Sequence, residues 1–266
     1  MISVNSYPIE VTRFSDQTSQ VWKLPFIVGD IAMIDWKFSQ EAELFHLAQL
    51  VDLLRSMKVK KISLAMDYLP YGRQDKEISN ESTFALRTFA NFLNTLKLDK
   101  ISAIDSHSDE PIFLIKNFHN IFPVVQIANA VKACDPDVLC FPDRGARLRY
   151  AKNLAFLNRS VAHGEKQRDQ LTGNITKYTL NDMNGTVYDK DVMIIDDICD
   201  GGMTFVLLAK ELYNSGAKSV SLYTSHGIYS KGLRPLKEAK INRIFTKDGE
   251  VSEVQGQITV RKYENT

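Results

Sequence analysis

Cysteine is scarce in this chain, with Cys134, Cys140 and Cys199 the only three among 266 residues. An odd number without metal-type pairing excludes a disulfide framework and argues against a zinc site. The expectation is a reduced, cytoplasmic protein. Charge of one sign is also lacking: 33 basic and 32 acidic side chains leave a net charge of +1, with the signs interspersed. A general nucleic-acid binder is therefore not expected. No apolar run approaches the length of a membrane span. The start "MISVNSYPIE" has no basic stretch followed by an apolar one, so neither an anchor nor an export signal is expected. Linkers and low-complexity segments are missing too. What is present is a 44% hydrophobic composition, enough for a sizeable core in one large domain or two small ones.

Short apolar runs alternate with amphipathic segments. The runs at 60–66, 99–104, 137–141, 191–195 and 218–224 read as buried strands, and 40–57, 82–97, 145–157 and 204–214 as helices. Phe205, Leu208 and Leu212 recur at helical spacing and are expected in the core, with Gly216 placed to stop the helix. This alternation predicts an α/β fold built on a parallel sheet. In such sheets ligands bind beyond the carboxyl ends of the strands. Five polar, loop-forming stretches stand there: "DYLPYGRQDKE", "DSHSDE", "PDRGAR", "DDICDGGMT" and "SHGIYSKG". The strand-loop-helix units suggest two halves, divided at 130 into 1–130 and 131–266.

The stretch "DVMIIDDICDGGMT" (191–204) poses an electrostatic question. A strand, a glycine turn and a helix start make an anion cradle, because free N–H groups and the helix dipole favour phosphate. Yet Asp196, Asp197 and Asp200 line it with negative charge. Two ligands resolve the conflict. Vicinal ribose hydroxyls donate to adjacent carboxylates, and Mg2+ binds carboxylate and phosphate oxygens together. On the sugar reading Asp196 and Asp197 hold ribose, while residues 200–204 wrap a phosphate at its other end.

An acidic pair, a third acid, small residues and a threonine after an apolar strand resemble the ribose-phosphate loop of type I phosphoribosyltransferase folds. "LPYGRQDKE", "DSHSD", "FPDRGA", "GEKQRD" and "TSHGIYSKG" stand in the order found in phosphoribosyl pyrophosphate synthetases, the ribose-phosphate pyrophosphokinases. The resemblance covers roughly residues 10 to 245 and is greatest to short, divergent members, some encoded by phages beside NAD-salvage genes. It implies two similar halves, ATP bound by the first and ribose phosphate by the second. It implies transfer of the β,γ-pyrophosphate of ATP to a sugar hydroxyl with Mg2+, in a homo-oligomer, with no nucleic-acid or membrane partner. Arg73, Gln74 and Asp75, with His107, match ATP-contacting positions; His107 and Asp143 match metal positions; Lys166 and Arg168 match a catalytic pair on a flexible loop. Asp196, Asp197, Asp200, Gly201, Gly202, Met203 and Thr204 match the ribose-phosphate loop, while Gly145 and Arg144 suit a pyrophosphate. Taken singly these residues have plainer readings. Arg73 with Asp75 is an ordinary surface pair, His107 a hydrogen-bonded structural residue, and 163–174 a solvated basic loop.

The chain also departs from the family. Where members carry Asp-Gly-Glu near the start, this one has Asp16, Gln17 and Thr18; set against typical members, a strand and helix at the front and a helix at the back are not expected here. In the phosphate loop Gly201 and Met203 replace a threonine-bearing pattern. Losing one hydrogen bond to a charged group costs about 1.5–3 kcal/mol. That leaves room for a 5-substituted acceptor such as ADP-ribose beside ribose 5-phosphate itself. Two other classes stay open: a non-catalytic regulatory homologue, against which Lys166 and Arg168 argue, and a phosphoribosyltransferase, against which Arg73, Gln74 and His107 argue.

Overall fold

From Ile31 to Trp36 the residues alternate exposed and buried, with Ile34 and Trp36 enclosed. That period of two is what a strand with one covered face requires. The computed structural model describes residues 1–22, 24, 28–79, 81–168, 175–182 and 185–263, with only the backbone given at 166–168 and 175–177. The chain forms two units, Met1–Phe122 and Pro123–Thr266.

The first unit runs β1 (Ile2–Val4), β2 (Tyr7–Pro8), β3 (Val11–Arg13), β4 (Ser19–Val21), β5 (Ile31–Trp36), α1 (Ala42–Ser56), β6 (Lys61–Met66), α2 (Ala85–Thr95), β7 (Lys100–Ile104), α3 (Glu110–Leu114) and β8 (Phe118–Ile121). Among the described residues its main sheet has the order β2-β1-β5-β6-β7-β8. The strands β5 to β8 are parallel, and β1 joins them antiparallel. Leu47, Leu50, Val51 and Leu54 form one apolar stripe on α1, at the three- and four-residue spacing of a helix face. They share a core with Leu86, Phe89 and Leu93 of α2 and with Ile34, Trp36 and Leu64 of the sheet. The segment around Asp16 is the tip of the separate β3–β4 hairpin.

The second unit runs α4 (Val124–Cys134), β9 (Val138–Phe141), α5 (Arg144–Leu154), β10 (Ser160–Arg168), β11 (Ile175–Asn181), β12 (Asp191–Cys199), α6 (Met203–Asn214), β13 (Ser219–Gly227), α7 (Arg234–Glu238), β14 (Ile241–Thr246), β15 (Gly249–Val254) and β16 (Gln257–Arg261). Its sheet has the order β11-β10-β9-β12-β13-β14-β15-β16. The five strands from β10 to β14 in that order are parallel, with antiparallel ribbons at both edges. β9, β12 and β13 are buried along almost their whole length, as parallel strands covered on both faces must be. The units divide ahead of α4, because Ile127, Ala130 and Val131 turn its buried face to β13, β14 and β15.

Phe205, Leu208 and Leu212 of α6 lie in this core at no more than 2% exposure. The helix ends as its sequence predicts. Gly216 takes a positive φ of 85°, its N–H bonds to the Tyr213 carbonyl, and the Ala217 N–H reaches back to Leu212. Those two bonds satisfy carbonyls that the last turn leaves open. One segment differs from its expected form. The polar run from 163 to 168 reads as a loop, yet its backbone lies in β10, paired with β11. That pairing stands at the sheet's edge, where both faces of a ribbon can be wet, so no apolar alternation marks it.

Glu43 closes the first unit. Its carboxylate accepts from the Met1 ammonium at 2.6 Å, Trp36 Nε1 at 2.9 Å, and the Ser39 N–H and Oγ at 3.0 and 2.8 Å. Burial alone would raise this carboxyl, but those donors outweigh it and hold the pKa down at about 2, against an ordinary 4.5. A folded-state value below the unfolded one means stability that is present above about 4.5 and lost as pH falls toward 2. Urea unfolding at a series of pH values should show this loss. Glu43→Gln should lower the midpoint at pH 7 and flatten the acid-side slope; an unchanged midpoint and slope would show that the network contributes nothing.

Candidate active site

β12 carries two consecutive acids, Asp196 and Asp197, near its carboxyl end, and both meet one cation. Arg149, on α5, places a terminal guanidinium nitrogen 2.9 Å from Asp197 Oδ1 and 3.4 Å from Asp196 Oδ1. Asp197 is 2% exposed, and a carboxylate that deep is tolerated only when charge and hydrogen bonds compensate it. Asp196 is partly exposed, so it is the more accessible of the two acids. Sequence reasoning missed Arg149. The signal was there, in three arginines (144, 147 and 149) within six residues of one helix, beside a strand that ends in adjacent acids.

The turn after β12 is held from the loop that follows β13, the strand next to it. Asp200 Oδ1 accepts from Ser230 Oγ at 2.6 Å, a contact sequence reasoning also missed. Gly202 takes φ +77° at the start of α6, and a side chain there would sit 3.0 Å from Leu236. Both constraints demand glycine. No described side chain caps α6, whose first residues are the exposed Met203 and the half-buried Thr204. The first-turn amides and the positive end of the helix dipole thus face the turn, which is the arrangement that binds anions. Cys199 lies beneath, and burial pushes its thiol up to about 12, so it is no nucleophile near neutrality.

Asp143 follows β9 and caps α5, its Oδ1 accepting from the Ala146 N–H at 2.9 Å. A side chain at Gly145 would come within 3.2 Å of that carboxylate, so glycine keeps the cap open. The preceding Pro142 carbonyl accepts from the buried Tyr178 hydroxyl, and the Tyr178 ring fills the place a Gly164 side chain would need. Burial, with Arg147 alongside, holds the neighbouring His163 below the ordinary imidazole range. Lys166 and Arg168 belong to β10 by their backbones, while their side chains, and residues 169–174, lie outside the described ones.

In the first unit the loop after β6 carries Arg73, Gln74 and Asp75. Arg73 and Gln74 are exposed and Asp75 half-buried. Gln74 is fixed by its main chain, donating to the Tyr71 carbonyl and accepting from the Leu86 N–H. His107 follows β7 in a turn held by Ser106, whose N–H donates to Asn120 Oδ1 at 3.0 Å. Each of these loops leaves the carboxyl edge of the first sheet. Asp16 spends its carboxylate locally, accepting from the Thr18 N–H and hydroxyl at 3.0 and 2.7 Å on the exposed hairpin.

The Arg149 contact makes a stability prediction. Removing one member of a buried pair leaves the other charge uncompensated, which costs about 3 kcal/mol. Arg149→Met should therefore lower the free energy of unfolding by about that amount. Adding Asp197→Asn should restore much of it. A variant as stable as the parent in denaturant titration would rule out the pair as a structural element.

No family model matches the chain. A ribose-phosphate pyrophosphokinase of Saccharolobus solfataricus is 28% identical over 252 residues, which span 92% of this chain and 85% of that protein. The Pyrococcus abyssi protein of the same name is 28% identical over 86% of this chain and 79% of its own length. That of Sulfurisphaera tokodaii is 30% identical over 71% and 65% respectively. Among solved structures, a phosphoribosylpyrophosphate synthetase from Mycobacterium smegmatis superposes with a TM-score of 0.74 over 89% of this chain and 78% of that one, at 22% identity, which speaks to the fold. Over most of its length the chain is thus similar to ribose-phosphate pyrophosphokinases, and it shares the fold of a phosphoribosylpyrophosphate synthetase.

Proposed function

We propose that this transferase moves the β,γ-pyrophosphate of ATP to the anomeric hydroxyl of ribose 5-phosphate, or of a 5-substituted ribose phosphate such as ADP-ribose. The observation that carries the reading is the pair Asp196 and Asp197, gathered by Arg149 directly ahead of the uncapped start of α6. Acids that accept from sugar hydroxyls and amides that receive a phosphate stand in the order a ribose phosphate presents them. The named relatives support the reaction class.

In the reaction the anomeric oxygen attacks the β-phosphorus, the bond from that phosphorus to the α,β-bridging oxygen breaks, and AMP departs with the oxygen. The hydroxyl gives up its proton. A protein has little covalent work in phosphoryl transfer, so the residues position and neutralise. Asp196 and Asp197 orient the ribose hydroxyls, and residues 200 to 204 hold its phosphate end. Arg73, Gln74 and Asp75, with His107, are assigned to ATP on the first half, 1–130. Lys166 and Arg168 are assigned to the charge that develops on the transferred group.

When bound, Mg2+ would supply neutralisation of the phosphate charge. Among the described residues no three or more His, Cys, Asp or Glu side chains gather as a metal cage. Mg2+ needs none, since one or two carboxylates with substrate phosphates and water suffice. Asp143, a half-buried oxygen donor at the end of β9, fits that requirement. His107, an imidazole, suits a hard cation less well than a carboxylate does.

AMP release from ATP tests the reading, with ribose 5-phosphate and ADP-ribose as parallel acceptors. The intact protein should release AMP with at least one acceptor and none without. Lys166→Ala should cut turnover by about 100-fold or more, the scale of losing one transition-state donor. Unchanged turnover would remove Lys166 from its role.

A further inference from the structure

Among the described residues, acids outnumber cations around the turn that would receive the sugar's phosphate. Asp196, Asp197 and Asp200 surround it, and the Arg149 guanidinium is already engaged by two of them. A phosphate held there by main-chain amides alone would sit in a field of its own sign. The loop after β13 supplies the missing charge. Gly201 has no side chain, and the position its Cβ would take lies 3.6 Å from Lys231 Cε and 3.7 Å from Cδ, so the lysine stem runs along the open side of the turn. The ammonium is one bond, about 1.5 Å, further on. Lys231 itself is exposed, so that cation is open to a ligand.

The placement is built in. The Ile228 and Tyr229 N–H groups both bond to the Cys199 carbonyl, at 2.8 and 3.1 Å, which ties this loop to the very end of β12. The Gly232 N–H closes the turn onto the Tyr229 carbonyl at 2.8 Å, and the Tyr229 ring is buried at 5% exposure. Ser230, next in the chain, grips Asp200 at 2.6 Å. Lys231 is thus carried on a loop fastened at three points to the phosphate turn.

We infer that Lys231 is a specificity-determining residue that pairs with the phosphate on the ribose 5-position, an inference that rests on the function proposed above. A lysine serves as a point charge for phosphate and needs no bidentate geometry. Its contact is remote from the reacting hydroxyl and equal in ground and transition states, so it should act on acceptor binding and not on the chemical step.

The test is Lys231→Ala. With the acceptor the parent uses, the acceptor KM should rise about 10-fold or more while kcat and the KM for ATP change less than about twofold. Lys231→Arg should recover most of the loss. The dependence of acceptor KM on salt should also weaken in the alanine variant. Titration calorimetry with ribose 5-phosphate and with ADP-ribose reads the same contact without turnover. No AMP release by the parent with any acceptor, alongside weaker ligand binding by Lys231→Ala, would sink the proposed reaction and leave this contact standing. An acceptor affinity equal in parent and alanine variant, or no binding by either, would overturn it.

Discussion

One guanidinium between two neighbouring carboxylates is the contact on which the candidate site depends. Asp196 and Asp197 are consecutive in a strand, so the chain forces like charges together at the end of the sheet. Only a cation supplied from another element makes that arrangement stable, and Arg149 comes from α5 to do it. The consequence is a graded pair. Asp197 is buried and nearest the arginine, while Asp196 is more open and further from it. An acidic site that has its own internal cation can face a sugar without repelling the phosphate attached to it.

The scaffold explains why the groups of each unit gather at one edge. In a parallel sheet every strand ends on the same side, and every helix begins near there. α5 starts at the Asp143 cap and α6 at Gly202, so two helix N-termini, two acids and the loop bearing Ser230 and Lys231 all leave the carboxyl edge of the second sheet. Glycine appears where a side chain would crowd its neighbours. Gly202 has a positive φ against Leu236, and Gly164 lies under the ring of Tyr178, whose hydroxyl steadies the main chain beside Asp143.

Much of this was legible in the sequence, and the reasons for the rest are physical. The strands read at 60–66, 99–104, 137–141, 191–195 and 218–224 announce themselves because burial on one or both faces demands apolar runs, while the last two run on to Cys199 and Gly227 through residues read as loops. The core face of α6 and the stop at Gly216 follow from helical spacing and a positive φ. Residues Gln257–Arg261 of the tail form β16, an edge strand. The β10–β11 ribbon was hidden because the residues from 163 to 168 are polar or glycine and show no apolar alternation in sequence. Arg149 and Lys231 were hidden for another reason. Their partners are 47 and 30 residues away along the chain, and no local pattern reports a contact made by folding. The acidic loop could be read as a sugar-phosphate site, but not the cations that make it workable.

A crystal structure with ribose 5-phosphate bound would test the central claim most directly. The account predicts ribose hydroxyls within hydrogen-bond distance of Asp196 and Asp197, and the phosphate on the main-chain amides that open α6. A sugar phosphate bound at another place, with Asp196, Asp197 and the Gly201–Gly202 turn untouched, would contradict it.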